Sequence, residues 1–193
     1  MLANKLKDYK IILASSSPRR QEIFKELNIP FTVKVKHVNE HYPSNLKGMA
    51  ITNYLAKLKA KPFKNELDTN KIIITADTIV WLNNNSLEKP KDKEDAVKML
   101  KLLSGKMHEV ITSVCIKTLD LEKTFSSITK VYFKELSDNE INYYVEKYHP
   151  LDKAGAYGIQ EWIGFIGVTK LEGSYFNVMG LPIDKLYEEL TNL

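Results

Sequence analysis

The sequence predicts an α/β fold, a mixed sheet flanked by helices and drawn into two lobes with a central cleft. Three observations carry that expectation. Apolar, β-branched runs alternate with amphipathic stretches along the chain, beginning with YKIILA and then SPRRQEIF. The segments EVITSVCIKTL and KTFSSITKVYF, joined by the polar turn 120–123, read as a hairpin that breaks a purely parallel pattern. Finally, the 193 residues are 44% hydrophobic, enough for a core, and contain no repeat, low-complexity tract or long linker, so one domain over 1–193 is expected.

Taken in order, YKIILA is a short buried strand. Ser17 can cap the helix 18–27, with Pro18 at its first position and Asn28 and Ile29-Pro30 closing it. FTVKVKHV alternates apolar and polar residues, predicting a half-exposed strand over 31–38. LKGMAITNYLAKLKA predicts a helix over 46–60 with Leu46, Met49, Ala50, Tyr54, Leu55 and Leu58 on one stripe. KIIITADTIVWL, 71–82, reads as a strand buried on both faces and ends at a turn, 83–86. The helix 91–105 is closed by Gly105, the hairpin follows, a capped helix begins at Ser137, and LPIDKLYEELTNL ends the chain as a helix.

Charge narrows the function classes. Charged residues make up 27% of the chain in mixed sign and the net charge is only +4, far from a duplex-DNA binder but compatible with a small anionic ligand. The one cysteine, Cys115, offers neither a disulfide framework nor a Cys/His metal cluster, and His37, His41 and His149 lack metal-ligand spacing. No apolar run reaches the roughly 18 residues of a membrane span, so a cytosolic protein without a membrane partner is expected.

A few residues stand out for chemistry. Arg19 and Arg20 fall in the first turn of a helix, where the positive end of the dipole repels cations by up to about 1 kcal/mol each. An anion such as a triphosphate, held by backbone N–H groups, the hydroxyls of Ser15 to Ser17 and both guanidinium groups, would turn that repulsion into a binding site; arginines bent outward to surface acids are the alternative. Asp77 interrupts an apolar run, which requires a strand end, a cationic partner, a metal or a capping role. Glu40 could join Asp77 around a hard cation, since Mg²⁺ is held by one or two carboxylates plus phosphate oxygens, or it is an ordinary surface glutamate. Lys59 and Lys89 read as solvated lysines in isolation, and His108 as a hydrogen-bonding packing residue. The small residues of DKAGAYGIQ admit either close approach of a ligand or a simple turn.

ILASSSPRRQEIF, TADTIV, LEKP, LSGKMHEVITSV, HPLDKAGAYGIQ and GSYFNVMGLP occur in the order and approximate spacing of one family, over nearly the whole chain. The sequence resembles the Maf family of nucleoside triphosphate pyrophosphatases. That resemblance implies a Maf/Ham1-like (ITPase-like) fold, a homodimer, and hydrolysis of a nucleoside triphosphate to monophosphate and pyrophosphate with Mg²⁺ or Mn²⁺. It makes Asp77 the catalytic acid, Glu40 the second metal-binding carboxylate with Asp77, and Arg19, Arg20, Lys59 and Lys89 the phosphate-contacting cations. SPRR, ADT and the IQ of AYGIQ look like the branch acting on dTTP and UTP, with Arg19, Thr78 and Gln160 as its markers. The chain departs from the family pattern at Asn39, where an acid is usual, and at Glu161, where glycine is usual.

The function expected from these residues is a house-cleaning dTTP/UTP pyrophosphatase with no specific nucleic-acid partner. Two other readings stay open at this level: a regulatory nucleotide- or nucleic-acid-binding protein of cell division without turnover, and a purine- or modified-nucleotide-directed pyrophosphatase on the same fold. Sequence leaves open whether Asp77 is chiefly base or metal ligand.

Overall fold

Seven strands form one mixed sheet in the order β2-β1-β3-β5-β6-β7, with β4 on β3, in the computed structural model, which describes all 193 residues. Eight α-helices accompany the strands. The residues separate into two compact units, one made of 1–77, 112–127 and 180–193, the other of 78–111 and 128–179.

In the first unit, helix α1 (Leu2–Lys5) leads into β1 (Lys10–Leu13), which pairs in parallel with β2 (Thr32–Val33) and with the opening residues of β3 (Lys71–Leu82). Parallel pairing requires crossovers, which α2 (Pro18–Lys25) and α3 (Met49–Ala60) supply. Ile72 to Asp77 are all buried, as expected of a strand covered on both faces. Phe24, Phe63 and Leu13 are closed off completely from solvent. Helix α8 (Ile183–Thr191) buries Leu186 and Leu190 and packs against α1.

Two expectations change here. The strand predicted over 31–38 shrinks to Thr32–Val33, both exposed; Lys34 adds one further bond to Leu13 O at 3.3 Å, and then Lys34 and Lys36 leave the ladder to pair with Glu66. The helix predicted from 46 begins at Met49, after Gly48 at φ 50°, and its buried stripe is Ile51, Thr52, Leu55, Ala56 and Ala60 rather than one through Met49, which is exposed. The hydroxyl of Thr52 satisfies itself in the interior against Ser113 Oγ at 2.6 Å, so a polar residue joins the buried face.

In the second unit, β3 continues and folds back into β4 (Asn85–Leu87) through Asn83 and Asn84, both at positive φ as a type I′ turn demands. Helix α4 (Lys93–Leu103), capped by Asp92, packs on α5 (Asp138–Tyr148), whose Ser137 and Glu140 make a reciprocal capping box. Strands β5 (Met107–Lys117) and β6 (Glu122–Phe133) contribute residues to both units, and a connection this short can join neighbours only as an antiparallel hairpin. β7 (Val168–Glu172) pairs antiparallel with β6 after the short helix α6 (Trp162–Gly167); neither β7 nor α7 (Tyr175–Val178) has a run long enough to be legible in sequence. Leu100, Leu103, Val131, Tyr144 and Ile163 form the centre of this unit's core.

Candidate active site

In the first unit the chemistry begins where β1 ends. Ser15 is 6% exposed, and its Oγ accepts from Ser17 N–H at 3.3 Å. Ser17 caps α2 by accepting from Arg20 N–H at 3.5 Å, and Gln21 Nε2 donates to Ser15 O at 3.0 Å, so the loop into the helix is fixed at both ends. Arg20 does not bend outward. Its Nε donates to Gly180 O at 2.7 Å and one terminal nitrogen to Ala76 O at 3.1 Å, tying the helix start to the segment before Asp77. Removal from solvent lowers the Arg20 pKa, Asp77 opposes that, and the neighbouring charge of Arg19 adds to it. Carbonyl dipoles and the Asp77 carboxylate thus compensate the misplaced cation.

Asp77, 6% exposed, has the partner its burial requires. Lys59 Nζ donates to Asp77 Oδ1 at 2.7 Å and sits 2.9 Å from Glu40 Oε2. Lys59 reaches this point because it follows Leu55 by four residues on α3 and lies on the buried side of that helix, its side chain only 18% exposed. Glu40 comes from the irregular segment after β2 and is half-exposed. Burial raises the Asp77 pKa above its ordinary 3.8, against the pull of Lys59 and Arg20 and with the help of Glu40. The first unit therefore gathers Ser15, Arg20, Glu40, Lys59 and Asp77, and Arg19 lies beside them in the first turn of α2, partly exposed.

The remaining expected residues belong to the second unit. Thr78 is half-buried on β3, and Lys89 is exposed in the loop after β4. That loop is anchored by Gly155 N–H, which donates to Glu88 O at 3.1 Å. Gly155 itself sits at φ +67°, and a Cβ there would lie 2.8 Å from Val80 Cγ2. Gln160 stands in a tight turn closed by Glu161 N–H donating to Gly158 O at 3.0 Å. Its Oε1 is buried and accepts nothing within the protein. The small residues of DKAGAYGIQ are therefore explained by turn geometry and by close contact with Val80 and with the Glu161 side chain, which a Cβ on Gly158 would meet at 2.8 Å.

One group here was invisible in sequence. Lys153, 7% exposed, pairs with Asp152 at 2.6 Å and with Glu161 at 3.2 Å. The Tyr144 hydroxyl, fully buried, donates to the Glu161 carboxylate and accepts from Gly158 N–H at 3.0 Å. The only signal was a lysine set against the otherwise small and apolar AGAYGI. His108, as expected of a packing residue, is buried with Nε2 2.7 Å from the Tyr157 hydroxyl, and burial lowers its pKa to about 4.

The family model described as "Maf-like protein" matches residues 10–193 of this chain. The chain belongs to the Maf family. Among Maf relatives, a protein of Flavobacterium johnsoniae named "dTTP/UTP pyrophosphatase" is 59% identical over the full length of both chains. One of the same name from Phocaeicola vulgatus is 54% identical over 100% of each. Of solved structures, the Ham1 protein of Staphylococcus aureus is similar with a TM-score of 0.56 over 95% of this chain and 98% of its own, at 18% identity. That likeness bears on the fold alone, and it agrees with the Maf/Ham1-like architecture expected from sequence. The Maf motifs of this chain divide accordingly: in one unit SSSPRR meets TAD where Arg20 donates to Ala76 O, and TAD meets Lys59 through Asp77, while LEKP and DKAGAYGIQ meet at the Glu88–Gly155 bond in the other.

Proposed function

We propose that the chain hydrolyses nucleoside triphosphates, dTTP and UTP foremost, to the monophosphate and pyrophosphate, acting as one Maf-type domain over 1–193. The observation that carries this reading is Asp77, a buried carboxylate held on one oxygen by Lys59. For a protein that merely bound anions a carboxylate among the cations would weaken the binding of phosphate, whereas a hydrolase can use one to take a proton. The full-length relatives named dTTP/UTP pyrophosphatase support the same substrates.

In this reading Asp77 accepts a proton, at the oxygen that Lys59 leaves open, from a water attacking the α-phosphorus. The new P–O bond forms as the bond to the β-phosphate's bridging oxygen breaks, and pyrophosphate leaves with that electron pair. Arg19, Arg20, Lys59 and Lys89 bind the phosphates and Ser15 supplies a hydroxyl at the α2 start. Gln160, with its open buried acceptor, reads the base, with Thr78 and Arg19 as further specificity residues. Glu40 and Asp77 would hold Mg²⁺ or Mn²⁺. They fit such an ion in that oxygens of both lie within 2.9 Å of one cation, the Lys59 ammonium; a metal would use the carboxylate oxygens that Lys59 does not touch, with substrate phosphates completing its shell. When bound, the ion supplies positive charge to the phosphate oxygens. By family resemblance the reading extends to a homodimer in the cytoplasm.

Pyrophosphate release measured on dTTP, UTP, CTP, GTP and 7-methyl-GTP at one pH with one divalent metal tests it. Release from dTTP and UTP at the highest kcat/KM is expected. Saturable binding with no pyrophosphate would overturn the enzyme, and equal rates or preference for the methylated purine would overturn the pyrimidine assignment.

A further inference from the structure

To read a base, Gln160 needs a fixed orientation, and its own side-chain bonds do not provide one. An unrestrained glutamine amide rotates, and on turning it over its oxygen and its NH₂ exchange places. The two states read opposite edges. A uracil or thymine ring offers an N–H donor at N3 beside an acceptor at O4, whereas cytosine offers an acceptor at N3 beside an NH₂ donor, so a freely turning amide would accept all three.

We infer that Lys153, Glu161 and Tyr144 form a clamp that fixes the Gln160 turn and thereby sets selection of uracil-type bases over cytosine, an inference that rests on the pyrophosphatase reading. Tyr144 is the centre of the clamp. Its hydroxyl accepts Gly158 N–H at 3.0 Å and donates to the Glu161 carboxylate, so a single oxygen grips both ends of the turn that carries Gln160. Glu161 N–H closes the same turn on Gly158 O at 3.0 Å. Lys153 holds the other carboxylate oxygen at 3.2 Å, and its own side chain is only 8% exposed. The carboxylate is enclosed as well, 19% exposed, and Gly158 leaves it room where any Cβ would collide. Gly164 seals the far side, since a Cβ there would lie 1.9 Å from Ile159 O. The surroundings keep Tyr144 a neutral donor, with burial first and the Glu161 carboxylate second in raising its pKa. The result is a turn with no slack on either side of Gln160 and a buried Oε1 left to accept from a ligand N–H.

These three are positioning residues, since they act through Gln160. A merely structural role would lower thermal stability and slow all nucleotides alike; positioning changes the ratio between bases. The variants are Tyr144→Phe, which removes the central hydroxyl, and Glu161→Gln, which keeps an acceptor for Tyr144 but drops the charge facing Lys153. The ratio of kcat/KM for UTP over CTP is expected to fall about tenfold or more in Tyr144→Phe and by less in Glu161→Gln, through a raised KM for UTP with kcat within about threefold of wild type. An unchanged ratio in Tyr144→Phe, with the protein folded, overturns the inference. If Tyr144→Phe does not fold, the ratio in Glu161→Gln decides in the same way. Nuclear magnetic resonance separates this from the functional reading. If the wild-type protein turns over no pyrimidine triphosphate, that reading fails, and the clamp is then judged on the Gln160 side-chain NH₂ pair, whose two resonances are expected to lie away from the positions of a free glutamine in the wild type and to move toward those positions in the variants. Resonances identical in wild type and variants would overturn the clamp itself.

Discussion

Lys59 and Asp77 form an ion pair of 2.7 Å in the interior of the first unit, with Glu40 on the lysine's other side. The cation keeps Asp77 from being an uncompensated buried charge, the condition that an apolar strand imposes on it, while Glu40 meets the same lysine from a half-exposed position. Burial nonetheless outweighs the pair and raises the Asp77 pKa.

Asp77→Asn keeps the side-chain shape and removes the proton acceptor, so turnover is expected to fall by at least about 100-fold. Because the folded state holds this proton more tightly than the unfolded chain, ionising Asp77 costs stability as pH rises from 3.8 through the raised folded value. The variant's melting temperature at pH 7 therefore stays level or rises, with Lys59 still paired to Glu40. Wild-type kcat/KM is expected to fall on acidification at a pH above the range of an exposed aspartate. A variant with wild-type turnover would remove Asp77 from the chemistry.

The arginine pair separates into two behaviours. Arg20 grips Gly180 O and Ala76 O, and hydrogen bonds from a charged group are worth about 1.5–3 kcal/mol each, so Arg20→Ala is expected to lower the melting temperature by several degrees without any ligand. Arg19→Ala also relieves repulsion at the α2 N-terminus, so it is expected to lower the melting temperature less than Arg20→Ala does. Both should weaken triphosphate binding, measured by calorimetry. Equal melting temperatures for the two variants would remove the latch role of Arg20.

Much of this was legible in sequence and the remainder had a physical reason not to be. The SPRR cap, the buried strand through Asp77 and the Ser137 capping box depend on neighbours within four residues, and the structure has them. Arg20 and Gly180 are 160 positions apart, so local pattern could flag the arginine as anomalous but not name the carbonyl that satisfies it. Lys59 was named by the family resemblance, but its inward placement escaped the helical pattern for another reason. The apolar stripe drawn through Met49 and Leu58 left the lysines facing outward, whereas Thr52, satisfied by Ser113, shifts the buried face of α3 and carries Lys59 inward. The Tyr144–Glu161 clamp joins residues 17 apart across a turn whose form no propensity specifies.

His108 makes stability depend on acid. Its pKa falls from 6.5 to about 4 on folding, so below pH 6.5 the unfolded chain takes up a proton that the folded protein refuses. Stability is complete above pH 6.5 and is lost as pH falls toward 4, by on the order of 3 kcal/mol. Urea denaturation of the wild type across this range, compared with a His108→Phe, Tyr157→Phe double variant that leaves no hydroxyl unpaired, checks it. The double variant should show a correspondingly flatter profile between pH 6.5 and 4; identical slopes would mean another group governs the loss.

Gln160 is the sharpest test of base reading. Its Oε1 is buried and accepts nothing within the protein, a cost that an N–H from uracil or thymine would relieve. Gln160→Met keeps an unbranched side chain of similar length and removes both amide functions, so the free protein loses an unpaired acceptor and should melt no lower than wild type. Substrate discrimination should suffer instead: kcat/KM for dTTP and UTP is expected to drop at least about tenfold, roughly 1.4 kcal/mol, while the slower hydrolysis of GTP changes little, because only the pyrimidines lose a partner. Opposite signs for stability and selectivity distinguish a binding role from a packing one. Parallel losses on UTP and GTP, or a melting temperature that falls sharply without nucleotide, would make Gln160 a structural residue of its turn and leave the base to be read elsewhere.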